Sequence, residues 1–299
     1  MGKESRGGAL NSMEAVAQES SDSLSSRVRL HEAAFVLLGI AALLALLISD
    51  KSHAELSAEV GVVVAAYAGV ILALSRRSGI AVERTRLLVT YCFTFWFYAA
   101  TSRISPALGT PTFDAALLSS DRLLFGNTPG VYLDEHARPW LTDILSFCYS
   151  SYLVYLHIVV VWAFWQPARV IQRFGASMFS AFALGFLSYL LLPALGPGAA
   201  YPSLYAADLH GSFLTWLNDA IVSRGAAIYG TFPSLHLLMT LLLLDNDWRV
   251  CRLRFWLMLG PAIGLVISTL YLRYHYATDL LAGAALFIIL HYANRRWNR

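Results

Sequence analysis

Three short segments combine side chains that suit acid–base or nucleophilic chemistry. They are Gly196-Pro197-Gly198-Ala199-Ala200-Tyr201-Pro202-Ser203, Tyr229-Gly230-Thr231-Phe232-Pro233-Ser234-Leu235-His236 and Arg273-Tyr274-His275-Tyr276-Ala277-Thr278-Asp279. His275 and Asp279 are four residues apart and share one face of a helix. A carboxylate in that position holds one imidazole N–H, fixes the tautomer and stabilises the imidazolium. The other ring nitrogen is then a good nucleophile. Pro233 opens a predicted helix, where its missing N–H costs nothing. The free N–H groups that follow, with Ser234, form a ready anion site. His236 lies one turn further in and faces that anion. Arg273 adds a fixed positive charge whose donors match phosphate oxygens. Two histidines, a carboxylate, an arginine and a helix amino terminus suit phosphoryl transfer without a metal or cofactor. No third nitrogen or sulfur ligand accompanies the histidines, so the set does not read as a zinc cage. Cys92, Cys148 and Cys251 are too widely spaced for a metal cluster or a disulfide framework.

The elements that position these residues are apolar. The chain has 299 residues, 57% hydrophobic and 14% charged, whereas soluble domains carry roughly 25% charged residues. The net charge of +3 is too small to suggest a nucleic-acid partner. A membrane-spanning helix needs roughly 20 apolar residues. Eight runs qualify in outline: 32–49, 58–75, 87–102, 141–164, 176–195, 233–244, 255–272 and 277–292. The fold class read from them is all-α, a polytopic membrane protein of about eight transmembrane helices. Residues 1–30 are polar and read as a disordered cytoplasmic tail. No signal peptide is expected, because the first apolar run starts only near Ala33. With the amino terminus in the cytoplasm, sixteen of the 22 basic residues fall on the cytoplasmic side, as the positive-inside rule requires. That alternation puts both termini in the cytoplasm. All three chemical segments then share the extracytoplasmic or lumenal side, which makes one composite site the expectation.

Smaller features complete the reading. Leu204 to Ser223 has helical apolar spacing and reads as an interfacial helix. Asp121 reads as a cap of the helix Arg122–Phe125 or as part of a substrate lid. His157 reads as a buried, hydrogen-bonded histidine, and His31, His53 and His291 as solvated. Gly260, Gly264 and Gly283 read as sites of close helix packing. No internal period is visible, which disfavours a transporter built by duplication.

The Pro-Ser-Leu-His segment at Pro233–His236 and the His275–Asp279 segment resemble the second and third motifs of the type 2 phosphatidic acid phosphatase (PAP2) superfamily. The resemblance covers roughly residues 100–292. It is closest to the branch that contains the fungal inositol phosphorylceramide synthases. In that branch a Gly-Pro-rich segment ending Tyr/Phe-Pro-Ser replaces the usual lysine-rich first motif, and here it is Gly196–Ser203. Asp121–Pro129 also resembles an upstream element of that branch. The resemblance implies a six-helix catalytic core, so the chain divides into 1–30, the amino-terminal helices 31–102, a catalytic region 103–292 and a basic cytoplasmic tail 293–299. It also implies roles. His275 would attack phosphorus and form a phosphohistidine, and Asp279 would orient it. His236 would protonate the leaving oxygen and then activate the acceptor. Ser234 and nearby backbone amides would hold phosphate oxygens, with Arg273, Tyr201 and Ser203 as further substrate contacts. One departure stands out: the superfamily has an arginine six residues before the nucleophilic histidine, and here that position is Thr269. The lysine and arginine of the first motif are also absent. Less positive charge leaves room for a phosphodiester donor. The expected partner is a membrane lipid, and the expected activity is a lipid phosphatase or phosphotransferase, with inositol-phosphate transfer to a sphingolipid as the finer reading. The alternatives are hydrolysis of phosphatidic acid or a polyprenyl pyrophosphate, or non-catalytic lipid binding or transport.

Overall fold

The computed structural model describes residues 27–49, 53–225 and 228–297, with side chains to residue 293. It is all-α. In chain order the helices are α1 (Leu30–Ile48), α2 (Ala54–Leu74), α3 (Ile80–Ala107), α4 (Asp114–Phe125), α5 (Pro129–Asp134), α6 (Pro139–Phe164), α7 (Ala168–Leu191), α8 (Pro197–Ala200), α9 (Phe213–Gly225), α10 (Leu235–Val250), α11 (Arg252–Tyr271) and α12 (Ala277–Trp297). There is no strand among the described residues, only an isolated bridge between Ala194 and Gly230.

Eight of these helices are long, and each lies over one of the eight apolar runs. Five of them, α1, α2, α6, α7 and α11, are long and apolar enough to cross a membrane. Their outward faces carry exposed Leu37, Leu47, Val62, Val154, Val161 and Leu257. So much apolar surface is unfavourable in water and is at home in lipid. Inside, Phe35, Phe97, Phe179 and Phe186 are buried and form a ring cluster joining α1, α3 and α7, with Phe97 and Phe186 stacked at 5.6 Å. Lipid tails are as apolar as these rings, so what favours the cluster is close packing rather than escape from water.

The structure corrects several expectations. Helix α3 begins at Ile80 rather than near 87, so Arg84 and Arg86 are helical and not loop residues. Arg86 is buried and its Nε donates to Glu32 Oε1 at 2.8 Å. Arg29 pairs with Glu83 beside it. Partners 54 residues away let these charges enter the bundle, and buried charge is tolerated only when paired. His31 is buried against Phe179 in the same region, with ring centroids 5.6 Å apart, and is not solvated. His157 is hydrogen-bonded, to the Leu153 carbonyl at 2.6 Å, but it faces outward. Helix α12 continues to Trp297, so most of the expected tail 293–299 is helical. The expected amino-terminal tail lies outside the described residues up to residue 26.

The helix expected from Leu204 to Ser223 also starts later, at Phe213. Two carboxylates claim the backbone before it. Asp134 accepts the N–H groups of Ala206 and Ala207. Asp143 accepts those of Ser212 at 2.8 Å and Thr215 at 3.0 Å. The second pair fixes the helix start, as an N-cap would. Phe213 and Trp216 remain exposed on α9.

Candidate active site

Four backbone hydrogen bonds bring the three chemical segments together at one end of the bundle. After α7 the chain turns, and Ala194 N donates to Tyr229 O while Thr231 N donates to Ala194 O, both at 3.3 Å. Gly198 N donates to Arg273 O at 2.9 Å, and Ser234 N donates to Asp279 O at 3.2 Å. Glycine is required at the tightest crossing. Gly196 has φ +88°, and a Cβ there would lie 2.3 Å from the Tyr274 carbonyl oxygen. Gly283, expected to allow close packing, does so: a Cβ there would lie 2.6 Å from the Ser234 carbonyl oxygen. Gly264 likewise faces Cys148, whereas nothing lies within 4 Å of a Cβ at Gly260.

This frame aligns a relay of three side chains. His275 Nδ1 is 3.0 Å from Asp279 Oδ1; the two do not share a helix face as the spacing suggested, because His275 lies two residues before α12 and Asp279 in its first turn. The other Asp279 oxygen accepts the Tyr276 N–H at 2.9 Å. An ionised carboxylate only accepts, so Nδ1 carries the proton and Nε2 keeps its lone pair. His236 Nδ1 lies 3.2 Å from that Nε2 and is its donor. Asp279 and His275 are buried, while His236 is half-buried. The outer face of His236 packs against Tyr149 and Tyr152, with centroids at 4.8 and 5.1 Å. Tyr274 packs on Tyr149 and accepts from Asn218 Nδ2 at 3.1 Å. Burial pushes the Tyr274 phenol up to about 12, so it stays a neutral hydroxyl. Ser234 is the N-cap of α10, with its Oγ accepting from Leu237 N. Pro233 therefore sits just before the cap rather than inside the helix.

Two further acids support the relay, and reading the sequence alone assigned them no such role. Asp114, at the start of α4, accepts the N–H groups of Leu195 and Gly196 and the Tyr276 hydroxyl, all at 3.0 Å. It ties the Gly-Pro turn to the residue next to His275. Asp121 accepts the N–H groups of Ala277 and Thr278 at 3.1 and 2.9 Å and the Thr128 hydroxyl at 2.6 Å. It lies in the third turn of α4 and caps α12 from outside. Neither the cap of Arg122–Phe125 nor a lid describes it. Both acids are fully buried, and their partners lie too far along the chain for local spacing to reveal the role.

The remaining expected contacts are placed differently. The Arg273 guanidinium donates to Asp134 Oδ1 at 2.5 Å and to the Ala207 carbonyl, and lies over the Tyr205 ring at 4.5 Å. It stands at φ +64°, turned into the loop around Asp134 instead of joining the histidine pair. Burial alone would raise the Asp134 carboxyl, but the N–H groups of Ala207 and Ala206 and the Arg273 charge hold it below the usual range. Tyr201 is half-buried beside Leu117, Ala194, Phe232 and Tyr276 and packs the turn. Ser203 is exposed in a single 3₁₀ turn, Pro202–Leu204. Among the described residues no hydrogen bond joins either to the histidines.

A family model described as the PAP2 superfamily matches residues 115–293, from α4 into α12, and so takes in all three segments. A PA-phosphatase related-family protein of Dictyostelium discoideum is 25% identical over 236 residues, covering 65% of this chain and 42% of that protein. The chain thus spans less than half the length of this relative. No solved structure matches.

Proposed function

Because this chain belongs to the PAP2 superfamily, we propose that it is a membrane lipid phosphatase or phosphotransferase working through a phosphohistidine on His275. The observation that carries this reading is the relay itself: Asp279, His275 and His236 in line at 3.0 and 3.2 Å, at the amino termini of α10 and α12. Binding alone needs no nucleophile with a fixed tautomer.

The chemistry follows from the atoms. Phosphorus takes the place of His236 at the Nε2 lone pair of His275, so the two rings part as substrate enters. A His275 Nε2–P bond forms and the P–O bond to the leaving group breaks. His236, protonated beside the bound anion, gives its proton to the leaving oxygen and becomes a neutral base. It then takes a proton from the acceptor hydroxyl, whose oxygen forms the new P–O bond as the N–P bond breaks. Asp279 stabilises the charge on the His275 ring throughout. First-turn N–H groups of α10 and the cap at Ser234 hold phosphate oxygens.

The donor in this proposal is a phosphodiester and the acceptor a lipid hydroxyl, which makes the reaction head-group transfer, with inositol phosphate onto a sphingolipid as the leading case. Two features support it. Thr269 stands where the superfamily has an arginine, and Arg273 is committed to Asp134. Tyrosines, not cations, therefore line His236, and they suit a phosphate carrying one charge. The proposed orientation has both termini in the cytoplasm and the site on the opposite side, supported by the distribution of basic residues. The test is turnover by purified protein given phosphatidylinositol plus ceramide, phosphatidic acid or a polyprenyl pyrophosphate. Head-group transfer with the first pair supports the full reading. Hydrolysis of the other lipids keeps the relay and removes the diester. Headgroup binding without turnover, unchanged in His275→Ala, would mean a non-catalytic protein.

A further inference from the structure

At the end of the bundle away from the histidines, α7, α10 and α12 part around a cavity of about 660 Å³. Its depth is set by α10: the lining runs from Met239 to Val250, about 16 Å at 1.5 Å per residue. Met239 is fully buried and closes the inner end one turn below His236, so the cavity is separate from the relay. Its inner wall is apolar, built from Phe174, Met178, Met239, Leu242 and Leu243. Its mouth is polar, with Arg173, Asp245, Arg249 and His291.

The charges at the mouth do not cancel. Arg249 reaches both oxygens of Asp245 at 2.8 Å, and His291 Nδ1 approaches the same carboxylate at 3.3 Å. Asp245 is therefore already neutralised. Arg173 is exposed and makes no hydrogen bond or ion pair among the described residues. The result is an apolar slot with one uncompensated guanidinium at its rim, of a size typical for ligand pockets (roughly 300–1,000 Å³). Basic pockets between membrane helices select anionic lipid headgroups.

We propose that this cavity binds one anionic phospholipid from the leaflet opposite the catalytic site. The phosphate sits at Arg173, with Arg249 beside it, and an acyl chain lies along Phe174, Met178 and Leu242. The claim does not depend on the reaction at His275. The test is lipid retention by the full chain in detergent, measured by native mass spectrometry, with dioleoyl phosphatidylserine, dioleoyl phosphatidylcholine or inorganic phosphate as probe. Phosphatidylserine is expected to be retained as a single copy in preference to phosphatidylcholine, equally in His275→Ala. Arg173→Glu is expected to weaken that retention at least about fivefold, in line with the worth of one basic residue at a lipid surface. Met178→Trp, which fills the slot, is expected to do the same with Arg173 intact. Both variants should keep wild-type turnover, which also reports correct folding. Equal retention of the two lipids, retention untouched by either variant, or displacement by inorganic phosphate at lipid-like concentrations would overturn the proposal.

Discussion

In the proposed reaction His275 needs one ring nitrogen held and the other free to reach phosphorus, and Asp279 holds its Nδ1. Asp279→Asn keeps the shape but lets the amide favour the wrong tautomer. It should lower kcat by roughly 10³-fold or more with little change in KM, as losses confined to the transition state do. His236→Ala should lower kcat comparably, whereas His275→Ala should leave no turnover at all. Single-turnover kinetics on the three variants separates these outcomes. Arg273 has another task, the clasp with Asp134. Asp134 is held ionised below the usual carboxylate range, so its contribution to stability is full above that range. It is lost as pH falls through the lowered folded value. Asp134→Asn should cost about 1–3 kcal/mol at neutral pH through its lost charged hydrogen bonds. The gap from wild type should close on acidification in a thermal denaturation series. A gap that widens toward acid would contradict this assignment.

At the scale of elements, the relay depends on two crossings: the Gly-Pro turn against the residues before α12, and α4 against the start of α12. Gly196→Ala places a methyl on the Tyr274 carbonyl at a backbone angle that favours glycine. It should remove activity while the helical circular dichroism stays near wild type. Asp121→Ala frees the first N–H groups of α12, which should loosen His275 and raise amide exchange at Ala277 and Thr278. These crossings also show what the sequence could reveal. Each long helix announces itself as an apolar run, and the His275–Asp279 pair is legible because the two residues stand only four positions apart, His275 just before α12 and Asp279 in its first turn. The start of α3 is not legible, because Arg86 becomes a helical residue only by pairing with Glu32, 54 positions away. The role of Asp121 depends on partners 156 and 157 positions away, and no local spacing encodes that. Arg273 looked like a phosphate ligand because its loop partner Asp134, 139 residues off, has no mark of its own.

For the whole molecule, the fold puts the His236–His275–Asp279 cluster at one end of the bundle and a basic-rimmed cavity at the other. The proposed orientation predicts that Ser203→Cys reacts with a membrane-impermeant maleimide in intact cells, whereas Cys251 reacts only after permeabilisation. The reverse pattern would invert the topology. The reaction itself is most directly tested by rapid acid-free quenching of the purified protein during turnover of a lipid carrying ³²P at its phosphate. We predict a protein-bound label that survives alkali, is lost in acid, maps to the peptide containing His275 and is absent from His275→Ala. Turnover with no such label, or the same label in His275→Ala, would contradict a phosphohistidine at this residue.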